Sequence, residues 1–199
     1  MVQIPEPTFE GSEAKKAGFD NISEIGKERL RRVSKRIEME LADDDKQLKL
    51  SQTENKNIDL GFKVFKLDKS NFKVWNSPDT KISTDELQEQ IDAFADHITP
   101  DADESSILYE LILKSGYSLN VQIEKKSISG KAIYSVENGS LILCLESDLS
   151  YEVFEEIVNQ FTPHRVICLD QGFSGENADS LKTNVVQLFK SNSIQFRTV

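Results

Sequence analysis

The sequence predicts an α/β protein: a β-hairpin feeding a parallel strand–helix–strand–helix–strand run at the C-terminus, in one mixed sheet, preceded by helical segments. Three observations carry this. Asn138-Gly139, a strong tight-turn pair, lies between two apolar runs. Beyond it, the short apolar runs 141–145 and 166–169 and the closing strand 194–199 are separated by segments of helical period. Connections of that length return each strand parallel to the last, as right-handed crossovers.

Taken in order, the elements follow from local chemistry. Val2, Gln3 and Ile4 form a short strand-like run that Pro5 and Pro7 end. Asn21 is placed to cap a helix, with Glu24 at the capping-box position. Leu30, Val33, Ile37 and Leu41 recur at spacings of three and four and make a narrow apolar stripe along it. Asp43, Asp44 and Asp45 are badly matched to a helix C-terminus, so the helix is expected to stop near Leu41, with a polar loop over 43–58. Phe62, Val64 and Phe65, then Phe72, Val74 and Trp75, suggest two short strands joined near 68–71. Ser83 with Glu86 starts a helix carrying Leu87, Ile91, Phe94, Ala95 and Ile98 on one face, which Pro100 stops. A second helix over 103–114 is apolar around most of its surface and is expected to be buried, with Gly116 ending it. Leu119, Val121 and Ile123 alternate as a strand, and 131–136 is the next. Tyr151, Phe154, Ile157, Val158 and Phe161 define an inward helical face, and 181–189 is the last helix.

Composition narrows the class. Leu, Ile, Val and Phe make up about 29% of 199 residues, well above the level of disordered chains. No apolar run reaches the roughly 18 residues of a membrane helix, and no signal-peptide pattern opens the chain. Cys144 and Cys168 sit inside apolar strands, which suits a reducing cytoplasm and small-hydrophobe packing rather than catalysis. The net charge of −10 argues against a general nucleic-acid coat, yet it is unevenly spread. Residues 61–199 carry a net −8, whereas 21–37 hold Lys27, Arg29, Arg31, Arg32, Lys35 and Arg36 against only Glu24 and Glu28. On a helix, Lys27, Arg31 and Lys35 flank the apolar stripe on one side, and Arg29, Arg32 and Arg36 on the other. Such an arc suits DNA phosphates or, equally, a solvated face paired with the aspartates that follow.

Few residues suggest catalysis. The chain has no phosphate-binding loop of the GxxxxGK[ST] kind, no GxSxG elbow and no CxxC pair. His97 and His164 sit at proline-marked boundaries and read as caps or turn residues. One sharper alternative is a stand-alone metal-dependent nuclease or phosphotransferase. Glu146, Asp148 and Asp170 all follow parallel strands, at the edge where α/β ligands gather, and could hold a magnesium ion there. The plainer reading has these residues capping a helix and opening a loop.

Several segments, in order along the chain, carry a resemblance. Residues 17–32 (AGFDNISEIGKERLRR), 59–72 (DLGFKVFKLDKSNF), 109–116 (YELILKSG), and the ending 168–173 (CLDQGF), 181–184 (LKTN) and 196–199 (FRTV) resemble the C-terminal region of the modification subunit of type III restriction–modification systems. Those subunits are adenine-specific DNA methyltransferases. The resemblance implies transfer of a methyl group from S-adenosylmethionine to adenine N6 by the intact protein, using a (D/N/S)PP(Y/F) motif and a glycine-rich FxGxG motif. This chain has no Pro-Pro pair, and Gly172-Phe173-Ser174-Gly175 lies in the wrong region for the glycine motif. The family places both motifs upstream of the segment resembled by residue 1 onward. Gln3 and Glu6 would then be remnants of the cofactor-ribose edge, in a fragment expected to bind no cofactor and to be inactive alone. Residues 1–58 would be the tail of the methyltransferase domain with its basic helix and linker, and 59–199 a C-terminal α/β domain. Its expected work is assembly, as a homodimer of modification subunits or by docking the restriction subunit, with double-stranded DNA contacted by the basic helix in the cytoplasm and no membrane involved.

Overall fold

A computed structural model describes residues 2–47, 58–73 and 98–199. The chain divides into two compact units, Met1–Phe65 and Lys66–Val199.

The first unit is built on two helices. A single turn, α1 (Glu13–Lys16), is capped by Ser12, whose hydroxyl accepts from the Lys15 amide. A long helix, α2 (Ile22–Gln47), starts where Asn21 Oδ1 accepts from the Glu24 amide at 3.0 Å, as its sequence position demanded. The expected stop near Leu41 is overrun, because the backbone stays helical through Asp43–Asp45 to Gln47. An acidic end costs only a few tenths to about 1 kcal/mol per charge, and only in the last turn. With no glycine or proline from 27 to 47, nothing else breaks the helix. Val2–Ile4 is not a strand; nearby pairing is a single bridge between Pro7 and Asn21. The expected strand over 62–65 is absent too, and residues 58–70 have no regular secondary structure. Apolar alternation alone does not hold a strand without a neighbouring ladder. Asp59 instead turns its own backbone by accepting from the Gly61 amide at 2.8 Å.

The second unit matches the predicted mixed sheet. Helix α3 (Glu104–Lys114) precedes β1 (Ile123–Ile128), β2 (Lys131–Val136) and β3 (Leu141–Cys144). Next come α4 (Tyr151–Phe161), β4 (Arg165–Cys168), a 3-10 turn (Asp170–Gly172), α5 (Ala178–Ser191) and β5 (Gln195–Thr198). The spatial order is β1-β2-β3-β4-β5, antiparallel through β3 and parallel from β3 to β5. The helix expected over 83–98, Val74, Trp75, His97 and the loop 48–57 lie outside the described residues. Ile98 itself is described, and forms an isolated bridge with Phe72 rather than a helical turn.

Both faces of the sheet are covered, which explains why strands such as Leu141–Cys144 are apolar at every position. Ile142, Cys144, Val166 and Cys168 face α4 and α5, meeting Val153, Phe154, Ile157, Val185 and Phe189. Leu141, Leu143, Ile167 and Leu169 face the opposite way, onto Ile107, Leu108, Leu111 and Ile112 of α3. That helix is less buried than its composition predicted, since Leu113 is 57% exposed. Gly116, at φ +86°, ends it in the left-handed conformation that the sequence implied.

Two tight turns set the sheet's register. Asn138-Gly139 closes the β2–β3 hairpin as predicted, with positive φ at Glu137, Asn138 and Gly139. The other turn, Ser129-Gly130 (φ +47° and +80°), joins β1 to β2 and pairs Ile128 with Lys131. It moves β1 to Ile123–Ile128, later than the alternation of Leu119, Val121 and Ile123 suggested, and leaves Leu119 and Asn120 in a turn.

Candidate interaction surfaces

Helix α2 places the six cations of positions 27–36 on both sides of the apolar stripe, but most of these are held along the helix. Lys27 pairs with Glu24 at 2.6 Å, Arg32 with Glu28 at 2.8 Å, Arg31 with Glu28 at 3.8 Å, and Arg36 with Glu40 at 2.8 Å. These are exposed or half-exposed pairs at helical spacing, each contributing a few tenths of a kcal/mol. Among the described residues, Arg29 and Lys35 form no ion pair, so the arc keeps charge to offer. The three aspartates do not cap a loop that returns to these cations; they lie farther along the same helix.

The stripe itself is the larger surprise. Leu30, Val33 and Leu41 are 44%, 54% and 38% exposed and Ile37 is half-buried, so the face expected to dock the helix is only partly covered by the described residues. Beside it, the Ser34 hydroxyl donates to the Leu60 carbonyl at 2.9 Å, while Phe62, Val64 and Phe65 remain substantially exposed. No described residue of this unit is buried.

Gln3 and Glu6 are exposed. The Gln3 amide donates to the adjacent Ile4 carbonyl at 3.1 Å, and the Glu6 backbone carbonyl accepts from Ile22 at 3.0 Å. These contacts organise the approach to α2.

At the sheet's C-terminal edge the three carboxylates go to different partners. Glu146 accepts from the Ala132 amide at 3.0 Å, satisfying a β2 donor where the ladder runs out. Asp148 accepts from the Ser174 hydroxyl, and Asp170 pairs with Lys182. Among the described residues, no group of three or more His, Cys, Asp and Glu side chains is placed to hold a metal. The magnesium edge expected from strand order is therefore not assembled. Which edge each residue follows is set by topology, but where its carboxylate points is set by the nearest donor.

The cysteines meet across the parallel pair β3–β4, with Cys144 opposite Cys168. Both are fully buried and unbridged. Burial, with Cys144 alongside, pushes the Cys168 thiol well above its ordinary range, so it is a packing group rather than a nucleophile. His164 is exposed in the turn before β4, where its amide donates to Ser140 and its carbonyl accepts from Gln195. It borders an open cavity of about 690 Å³ with Tyr117, Arg165 and Gln195. There the polar groups serve each other. Tyr117 OH and Ser140 Oγ are 2.9 Å apart, and the Arg165 guanidinium reaches Gln195 Oε1 at 3.0 Å.

Sequence reasoning missed one site of strong electrostatics. Glu110 of α3 receives the Ser70 hydroxyl, the Asn71 amide and side chain at 2.8 Å each, and Lys114 at 2.7 Å. Burial opposes its charge, but these donors outweigh it and hold its carboxyl down to about 2. The group anchors an irregular segment to the α/β unit, and the adjoining Phe72 ring lies under Lys114 at 4.7 Å. Ser70-Asn71 was a faint local signal, since short polar side chains gather where a backbone needs satisfying.

Compared with known proteins, the chain matches no family model and no curated sequence.

Proposed function

We propose that this chain is the non-catalytic C-terminal portion of a type III restriction–modification DNA adenine-N6 methyltransferase subunit, working in assembly in the cytoplasm. The observation that supports the reading is a contrast among the described residues: an α/β unit with a buried core on both faces of its sheet, and a helical unit in which no described residue is buried and Leu30, Val33 and Leu41 are exposed. Such a chain is built to be covered by something else. The ordered resemblance of residues 17–32, 59–72, 109–116, 168–173, 181–184 and 196–199 supports the identity of that assembly: a homodimer of modification subunits, the restriction subunit, or both. S-adenosylmethionine belongs to the intact protein, in the part that carries the methyl-transfer motifs.

Deleting residues 66–199 from the intact subunit is expected to abolish co-purification with the restriction subunit or dimer formation. Light scattering and pull-down that leave both unchanged would count against the reading. The chain alone, given S-adenosylmethionine and duplex DNA, should transfer no methyl group.

DNA contact by α2 is a second reading, favoured by Arg29 and Lys35 having no ion-pair partner among the described residues. Replacing Arg31, Arg32 and Lys35 by glutamine should remove up to three phosphate contacts. The slope of log K against log salt would then fall by roughly 3 in fluorescence anisotropy with duplex DNA. An unchanged slope rejects the contact.

A further inference from the structure

We infer that α2 is a self-complementary contact, its apolar stripe covered by α2 of a second copy of this chain running antiparallel. The inference rests on the assembly reading and supplies it with a contact surface. Its argument comes from the charge order along the helix.

The sequence splits α2 into a basic half and an acidic half. Positions 27–36 hold six of its seven cations and one acid, Glu28, while 38–45 hold Glu38, Glu40, Asp43, Asp44 and Asp45 and no cation, with Lys46 following. At 100° per residue the division repeats on each flank of the stripe. One flank reads Lys27, Arg31, Lys35, then Glu38 and Asp45. The other reads Arg29, Arg32, Arg36, then Glu40 and Asp43. Because the helix is continuous from Ile22 to Gln47, both halves share one axis of about 39 Å.

A parallel two-fold pair would set the cations of one flank against the cations of the other flank. An antiparallel pair sets the basic half of each flank against the acidic half of the other copy. With Leu30 opposite Leu41 and Val33 opposite Ile37 of the second copy, Arg31 comes level with Glu38, Arg32 with Glu40, Arg29 with Asp43 and Lys27 with Asp45. The stripe positions Leu30, Val33 and Leu41, exposed in the single chain, become the seam. Apolar register and charge register thus select the same alignment, and a two-fold pair satisfies both helices at once.

Charge swapping tests it on the full chain by sedimentation velocity at low salt. The unaltered chain is expected to self-associate. Arg31→Glu with Arg32→Glu turns four cross-helix attractions into repulsions and should weaken the dimer on the order of 10–100-fold. Glu38→Arg with Glu40→Arg should do the same. The four changes combined in one chain should restore the dimer, because the swapped charges meet again only in antiparallel order. Mixing the two double variants should also give a heterodimer. Helix content by circular dichroism separates loss of pairing from loss of the helix.

A chain that stays monomeric at hundreds of micromolar overturns the inference. So does a dimer indifferent to the double variants, or a fourfold variant that fails to recover. If the dimer survives the swaps but disappears on deleting 66–199, the assembly reading stands and the helix contact falls. If the stripe instead takes up the restriction subunit or DNA without self-association, the second-copy inference falls as well.

Discussion

Replacing Phe154 with alanine should destabilise the C-terminal α/β unit by about 3–5 kcal/mol, the cost of emptying a large buried site that cannot collapse. Phe154 is wholly buried on α4 and is the hub of an aromatic cluster. Its ring stacks on Phe173 at 5.6 Å and meets Phe189 and Phe196 edge-on at 6.0 and 6.3 Å, while Phe189 and Phe196 stack at 5.0 Å. Four elements (α4, the loop after the 3-10 turn, α5 and β5) therefore converge on one ring. Neighbours tied into helices and strands cannot all move to fill the void. Urea unfolding followed by far-ultraviolet circular dichroism measures the loss. Leu67→Ala, at a fully exposed position, is the control expected to change stability by less than about 0.5 kcal/mol. A Phe154→Ala midpoint close to that of the control would show that the cluster does not hold the unit together.

The second large effect belongs to Glu110 and depends on pH. Its carboxyl is held at about 2, below the ordinary 4.5, so its contribution is complete above the unfolded value and is lost as pH falls through the folded one. The side chain is only 14% exposed, so solvent screens the group little. The implied contribution at neutral pH is on the order of 2–3 kcal/mol. Glu110→Gln keeps the shape and one acceptor oxygen but loses the charge and the second acceptor, so the donors of Lys114, Ser70 and Asn71 can no longer all be satisfied. Stability at pH 7 should drop by about that amount. The difference between the two chains should shrink as pH is lowered from about 5 toward 2. Parallel denaturation curves that keep a constant offset over that range would remove Glu110 from its role as anchor of the 70–72 segment.

How much was legible depended on whether the signal was local. The run from Lys131 to Val199 could be read because each element carries its own punctuation. Asn138-Gly139 adopts the positive φ its chemistry favours, and β3 before α4 is apolar at every step, as is β4 after Arg165. Ser129-Gly130 carried the same kind of signal, and overlooking it displaced β1 by several residues. Alternation in Leu119, Val121 and Ile123 weighed against the turn and lost, because the hairpin sets the register. At 62–65 the opposite error arose, with strand-like residues and no ladder to join.

The candidate site was read less well than the fold. Sequence spacing placed the cations of α2 on two flanks correctly, since helical geometry alone decides that. It did not show that Lys27, Arg31 and Arg36 would be paired along the helix, nor that Leu30, Val33 and Leu41 would stay exposed. The carboxylates Glu146, Asp148 and Asp170 are the sharpest case. Chain order puts them after parallel strands, but each finds its own nearby donor, and a shared site does not form.

By itself, then, the sequence determined the mixed sheet, the order of the C-terminal elements, the capped start of α2 and its segregated charge. Those depend on periodicity and turn chemistry within a few residues. Only the tertiary structure decided that Glu110 would gather donors some 40 residues away, that Cys144 and Cys168 would be buried neighbours, and that Leu30, Val33 and Leu41 of the α2 stripe would be exposed. Such outcomes depend on which distant backbones converge and on the nearest group that can satisfy each charge. No spacing along the chain encodes that convergence.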